Sequence, residues 1–171
     1  MNETEKKLWD ECVAFHGHSC GGLTIGFKAA MYAMELMDID RSGDEELVCI
    51  AENDSCGIDG IQYVCGCTVG KGNLLFRLRG KQAYDFYNRD SGESFRLILK
   101  EGKKSKEEMA DMPGSELFDK MPVKFELPEK ARIFRSYPCE KCGEMTADYF
   151  MREQDGKKVC LDCFERYDRF I

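Results

Sequence analysis

The residues with the clearest chemistry lie in the last 36 residues of the chain, Ser136 to Ile171. Cys139 and Cys142 make one Cys-x-x-Cys turn, Cys160 and Cys163 a second, and seventeen residues separate the pairs. Two intervening residues let a tight turn aim both sulfurs at one ion. Two such turns complete a tetrahedron with metal–sulfur distances of about 2.3 Å. Four thiolates leave no position for a substrate, so the expectation is a structural zinc. Tyr149, Phe150 and Met151, the Asp155-Gly156 turn and Lys158-Val159 read as a hairpin between the pairs. A helix from Leu161 to Phe170 would then complete a treble-clef module spanning 136–171.

A second constellation sits near the start. Phe15-His16-Gly17-His18-Ser19-Cys20-Gly21-Gly22 holds both histidines of the chain. In an extended loop, residues two apart point the same way, which would let His16, His18 and Cys20 converge. Cys20 also precedes a helix, whose positive end favours a thiolate. Further on, Asp54-Ser55-Cys56-Gly57-Ile58-Asp59 and Cys65-Gly66-Cys67-Thr68-Val69-Gly70-Lys71-Gly72-Asn73 add three cysteines, aspartates and a lysine between glycines. Thiolate and imidazole together suit zinc, iron, nickel or copper rather than magnesium or calcium. Inert, buried thiols are the competing reading.

The elements that must position these residues are legible in outline. Glu5–Phe15 reads as a helix, with Leu8, Cys12 and Phe15 on one face. A second helix runs from about Gly22 to Met37 with a small-residue stripe, Gly22, Gly26, Ala29 and Ala33, suited to close approach of another backbone. Leu47–Ala51 reads as a strand, Ile58–Val64 as one or two helical turns, and Asn73–Arg79, Ala83–Asn88 and Ser94–Lys100 as strands. Ser105 with Glu108 forms a capping box opening a short helix, and Ser115–Met121 reads as another. Val123 to Pro138, with two prolines and no helical stripe, reads as a linker. Helices, then strands, then helices imply an α+β fold: helices packed on a mostly antiparallel sheet over 1–130, plus the small zinc module.

Totals narrow the function classes. A net charge of −7 and a pI near 5.0 argue against nucleic acid, since phosphate recognition uses a basic face. The zinc module itself has six basic against eight acidic residues. No apolar run approaches the roughly 18 residues of a membrane helix. The N-terminal residues lack a signal-peptide stretch, so a cytoplasmic location is expected. Ten cysteines in such a protein point to metal binding or thiol chemistry rather than disulfides. The apolar segments Leu74–Phe76 and Phe134–Tyr137 suggest a homodimer.

Phe15 to Gly22, Cys56 to Gln62 and Gly66 to Leu74 together resemble the FmdE family, named for a subunit of formylmethanofuran dehydrogenase, over roughly residues 8 to 130. Lys130 to Arg135 resembles the stretch that precedes a C-terminal zinc finger in that family. Two departures are Cys20-Gly21-Gly22, where the family usually has Cys-Pro-Gly, and Cys65, where a small hydroxyl residue is usual. Cys65 could add a ligand or pair with Cys67. The resemblance implies association with a tungsten or molybdenum enzyme that reduces carbon dioxide to a formyl group. A chain of this size has no room for the pterin site and no ferredoxin-like cysteine run, so it is not that dehydrogenase alone.

Two readings follow. In one, the first domain is a metalloenzyme or redox subunit. Cys20, Cys67, His18, Asp59 and Lys71 act in catalysis, and His16, Cys56 and Thr68 bind the cofactor. A second transition metal is held by His18, Cys20, Cys56 and Cys67, with His16, Asp59 and Lys71 at the pocket's edge. In the other, the domain is a non-catalytic metal-handling or docking module for a molybdenum or tungsten enzyme. An open coordination position favours the first and a closed site the second.

Overall fold

A computed structural model describes residues 1–102 and 104–169. The chain divides into two compact units, Met1–Ala131 and Arg132–Ile171.

In the first unit, α1 (Glu3–His16) begins at a capping box between Asn2 and Glu5 and stops where Gly17 adopts a left-handed φ of 96°. Then come α2 (Gly21–Met37), β1 (Leu47–Ala51), α3 (Gly57–Cys65), β2 (Leu74–Phe76), β3 (Ala83–Asn88) and β4 (Ser94–Leu99). Next are α4 (Lys106–Asp111), with the expected Ser105–Glu108 capping box, α5 (Gly114–Leu117) and β5 (Phe118–Met121). The sheet order is β2-β1-β3-β4-β5; β1 and β2 are parallel, joined through α3, and the other pairs are antiparallel. The fold is therefore α+β with a mostly antiparallel sheet. Ser115–Met121 is corrected: the helix ends at Leu117, and Phe118–Met121 pairs with β4.

All five residues of β1 are buried, because the sheet is covered on both faces. Leu47, Cys49 and Ala51 join Phe27, Ile61, Tyr84 and Phe86 in the main core, under the helices. Val48 and Ile50, pointing the opposite way, meet Tyr87, Val123 and Phe125. Residues 122–131 are thus a strap over the far face of the sheet rather than a free linker. The Tyr87 hydroxyl donates to the Phe125 carbonyl at 2.6 Å, and the Lys124 amide donates to Asp85 Oδ1 at 2.6 Å. Beneath the strap, Arg96 Nε bonds Glu52 Oε1 at 2.5 Å and Lys124 Nζ reaches Glu52 Oε2 at 3.4 Å.

The contact that positions the site is between α2 and α3. A Cβ on Gly26 would overlap the Gly57 carbonyl, and one on Gly60 would lie 2.5 Å from the Phe27 nitrogen. The small-residue stripe of α2 serves backbone-to-backbone packing, as its spacing implied. Trp9, the single tryptophan, packs edge-on against Phe27 with ring centroids 5.1 Å apart.

The second unit contains two hairpins, β6 (Ser136–Pro138) with β7 (Met145–Ala147) and β8 (Arg152–Gln154) with β9 (Lys157–Val159). The Asp155-Gly156 turn connects the latter pair as expected, with both residues at positive φ. The helix anticipated from Leu161 is not formed through 169, which carries turns and coil; Phe170 lies outside the described residues. The helix expected to complete a treble clef is thus not seen among the described residues, which show the hairpins and the two cysteine turns. No helix among the described residues is long and apolar enough to cross a membrane.

Candidate metal centre

Among the described residues, two clusters bring metal-ligating atoms within 4.8 Å of one another: Cys139, Cys142, Cys160 and Cys163, and His16, Cys20 and Cys56.

The four-cysteine cluster fits a tetrahedral thiolate site. The Cys142 and Cys160 sulfurs are 3.9 Å apart, against about 3.8 Å for tetrahedral sulfurs at 2.3 Å from zinc. Each Cys-x-x-Cys turn also offers amides to sulfur: the Cys160 amide donates to Cys139 Sγ at 3.3 Å. Hydrogen bonds from the Cys142 and Cys160 amides hold the Cys139 thiol down to about 6. Cys163 is pushed the other way, up to about 12, by burial and by the neighbouring sulfurs, so a bound zinc must displace that proton.

The three-residue cluster is built by the ends of three helices. His16 is the last residue of α1, Cys20 is the N-cap of α2, and Cys56 is the N-cap of α3. The glycine contacts described above bring the last two together: even a Cβ on Gly22 would sit 3.2 Å from that of Cys56. Cys20 Sγ accepts from the Leu23 amide at 3.3 Å and lies 4.0 Å from His16 Nε2. Asp59, in the first turn of α3, pairs with His16 Nδ1 at 2.6 Å and accepts from Gln62 at 3.0 Å. With the Nδ1 proton bonded to the carboxylate, Nε2 faces the sulfurs. This is how carboxylates orient metal-binding imidazoles. The Asp59 hydrogen bond raises the His16 pKa. Burial pushes the Cys20 thiol up but is outweighed by hydrogen bonds from the Leu23 amide, Cys56, His16 and the Gly22 amide, which leave it below its ordinary value. The hydrogen bond to Cys20, followed by burial, raises Cys56.

The expected ligand set needs correction at three residues. His16, placed at the edge by sequence, is a member of the cluster. His18 is not: it is exposed, its ring tilted by 35° against that of His16 at a centroid distance of 4.6 Å. Cys67 is not a member either. It lies beyond the C-terminal end of α3 while Cys56 starts that helix, and nine residues at about 1.5 Å each separate the two ends by about 13 Å. Cys67 is fully buried, its sulfur 3.5 Å from the Leu47 carbonyl, and burial pushes its thiol up to about 12. Cys65 is also buried and donates to the Ala30 carbonyl at 3.8 Å, so the two neighbouring thiols are directed to separate partners. Lys71 and Thr68 share that end of α3. Lys71 Nζ donates to the Ser42 and Gly43 carbonyls at 3.1 and 3.4 Å, and Thr68 Oγ1 accepts from the Lys71 amide at 3.2 Å. These contacts tie the glycine-rich loop to residues 42–43.

A small cleft of about 200 Å³ is lined by Trp9, Ser19, Thr24, Lys106, Glu107 and Ala110, and by none of His16, Cys20 and Cys56. A cleft of about 680 Å³ between Leu8, Met31, Tyr32 and Ile39 contains no member of the cluster.

Sheet, helices and four-cysteine cluster define an α+β protein with an appended C4 zinc finger. The family described as "FmdE, Molybdenum formylmethanofuran dehydrogenase operon" matches residues 15–133, and the prokaryotic dksA/traR C4-type zinc finger matches residues 132–169. The chain belongs to the FmdE family, and its C-terminal cysteines form a zinc-binding site of that finger class. A probable S-adenosyl-L-methionine-binding protein of Archaeoglobus fulgidus is 27% identical over 192 residues, covering 90% of this chain and 51% of that protein. The chain thus spans about half the length of this curated relative. The crystal structure of a tungsten formylmethanofuran dehydrogenase FmdE-like protein from Syntrophus aciditrophicus matches with a TM-score of 0.68 at 22% identity. The match covers 93% of this chain and 91% of that one, which establishes the shared fold.

Proposed function

We propose that the first unit is a metalloprotein module with a reactive transition-metal site formed by His16, Cys20 and Cys56, and that it serves a molybdenum or tungsten oxidoreductase of one-carbon chemistry. The observation that carries the reading is the convergence of one imidazole and two thiols at three helix ends, with Asp59 fixing the imidazole. Three protein ligands leave a tetrahedral ion one position for a small molecule, the pattern of a catalytic rather than a structural site. A metal bound there would supply Lewis-acid or redox chemistry. The chain's own residues orient the ligands, and the partly exposed thiols and exposed His18 keep the open side toward solvent. The link to a molybdenum or tungsten enzyme draws on the family's description and on the name of the solved relative. A homodimer and a cytoplasmic location belong to the same proposal.

Metal counting on purified protein tests this reading. Wild type should carry about two ions per chain, and Cys56→Ser and Cys139→Ser about one each, whereas Cys67→Ser should retain about two. Wild-type protein reconstituted with zinc, iron, nickel or copper that never exceeds one ion per chain would sink the proposal.

A further inference from the structure

We propose that Cys20 and Cys56 form a reversible disulfide, giving this site an oxidised, metal-free alternative state. The inference rests on the reading of the site given above, because the same two sulfurs would be the metal's thiolate ligands.

The geometry selects this pair. Their sulfurs belong to the same three-ligand group, with ligand atoms within 4.8 Å of one another. Each cysteine is the residue from which a helix starts, and Cys56 uses its side chain for no capping bond. The two helix starts are held close together, because α2 and α3 touch through Gly26, Gly57 and Gly60 with no space for a side chain. A sulfur–sulfur bond of about 2.05 Å would need the two side chains to turn toward each other from a separation of no more than 4.8 Å. Cys20 and Cys56 are partly exposed, whereas Cys12, Cys49, Cys65 and Cys67 are buried. A small oxidant in solution therefore reaches this pair first among the cysteines of the first unit. The Cys65–Cys67 pair, adjacent in sequence, is dry and turned toward separate carbonyls.

The oxidant class is a low-molecular-weight disulfide, RSSR. The Cys20 sulfur attacks one sulfur of RSSR, forming Cys20–S–SR and releasing RS⁻. Cys56 gives up its proton and its sulfur attacks Cys20 Sγ, forming the internal disulfide and expelling a second RS⁻. Two thiols are oxidised and one RSSR is reduced to two RSH, which take up the two protons. A dithiol reductant reverses the sequence. With both sulfurs bonded to each other, neither can ligate a metal.

The test uses the full chain with its C-terminal zinc in place. The protein is incubated in oxidised and reduced glutathione at varied ratio, trapped with iodoacetamide, digested and analysed by mass spectrometry. The expected product is a Cys20–Cys56 cross-linked peptide lighter than the two free peptides by two hydrogens. It should disappear in Cys20→Ser and in Cys56→Ser, persist in Cys12→Ser, and revert with dithiothreitol. Trp9 emission checks that each variant is folded. Stable glutathione adducts at Cys20 or Cys56 without the cross-link, or cross-links to other cysteines instead, would overturn the proposal. The metal count separates the two ideas. If the disulfide forms but the reduced chain takes up no second ion, the disulfide stands and the metal reading falls. If a second ion binds and no cross-link forms, the reverse holds.

Discussion

Gly60→Ala is a sharp perturbation, because it adds one methyl group where two helix backbones meet. The new Cβ would lie 2.5 Å from the Phe27 nitrogen and 2.8 Å from the Gly26 carbonyl carbon, where ordinary contact begins near 3.4 Å. All the obstructing atoms are backbone, so no side chain can swing aside, and α2 and α3 must part by about 1 Å. Overpacking of this kind costs up to about 3 kcal/mol. Alanine recovers about 1 kcal/mol of helix propensity, which leaves a net loss of about 2 kcal/mol. Trp9 packs on Phe27 within the same unit and is the chain's only tryptophan, so its fluorescence in urea follows this unit alone. With a slope of about 1–3 kcal/mol per molar urea, the midpoint should fall by on the order of 1 M. Because Cys20 and Cys56 ride on the parted helices, the metal proposed at His16, Cys20 and Cys56 should also be retained less well, with the C-terminal zinc untouched. Gly70→Ala is the control, since a Cβ there meets nothing within 4 Å. If Gly60→Ala matched or exceeded wild-type stability with unchanged metal content, the glycine contacts would not be what builds the site.

Other outcomes follow from the same geometry. Chelation or Cys139→Ser should unfold the second unit, whose metal supplies on the order of 10 kcal/mol; circular dichroism should register the loss while Trp9 emission stays constant. Asp59→Asn should weaken metal binding at His16, Cys20 and Cys56 by about 10–100-fold through loss of the orienting hydrogen bond, read by competition with a chromophoric chelator. Burial pushes Glu52 up, but Arg96 and Lys124 outweigh it and hold the carboxyl below its ordinary range. That stabilisation is complete above the ordinary carboxylate pKa and is lost as pH falls through the folded-state value. Glu52→Gln removes the nearer of the two carboxylates on Arg96 and leaves Asp85 at 4.0 Å, so it should cost up to about 3 kcal/mol at neutral pH and flatten the acid limb of a stability–pH profile.

The strands at Leu47–Ala51 and Ala83–Asn88 are legible because β-branched, aromatic and other apolar residues mark them locally, and the Ser105–Glu108 box because a cap is a four-residue event. What escaped depends on distant partners. Phe118–Met121 looks helical by itself but completes the edge of the sheet beside β4. Val123 and Phe125 look like linker until Val48, Ile50 and Tyr87, all distant in sequence, supply the surface they cover. The convergence of His16, Cys20 and Cys56 is only partly legible in the sequence. Cys20 and Cys56 followed from motif chemistry, but His18 and Cys67 were grouped with them by nearness in the motifs. The length of α3 separates Cys67, and continuation of α1 through His16 makes that histidine, rather than His18, the inward one.

The strap bears on where this protein can be cut. Residues 122–131 bring Val123, Phe125 and the Lys124 amide onto the sheet, and the Ala131 amide is held by Glu45 at 3.1 Å. A truncation that removes the finger by ending at Met121, where the last strand stops, would strip the cover from Tyr87 and from the buried Asp85. Such a fragment exposes an apolar sheet face and invites self-association. The separable piece for isolating the Cys/His site begins at Met1 and runs through Ala131.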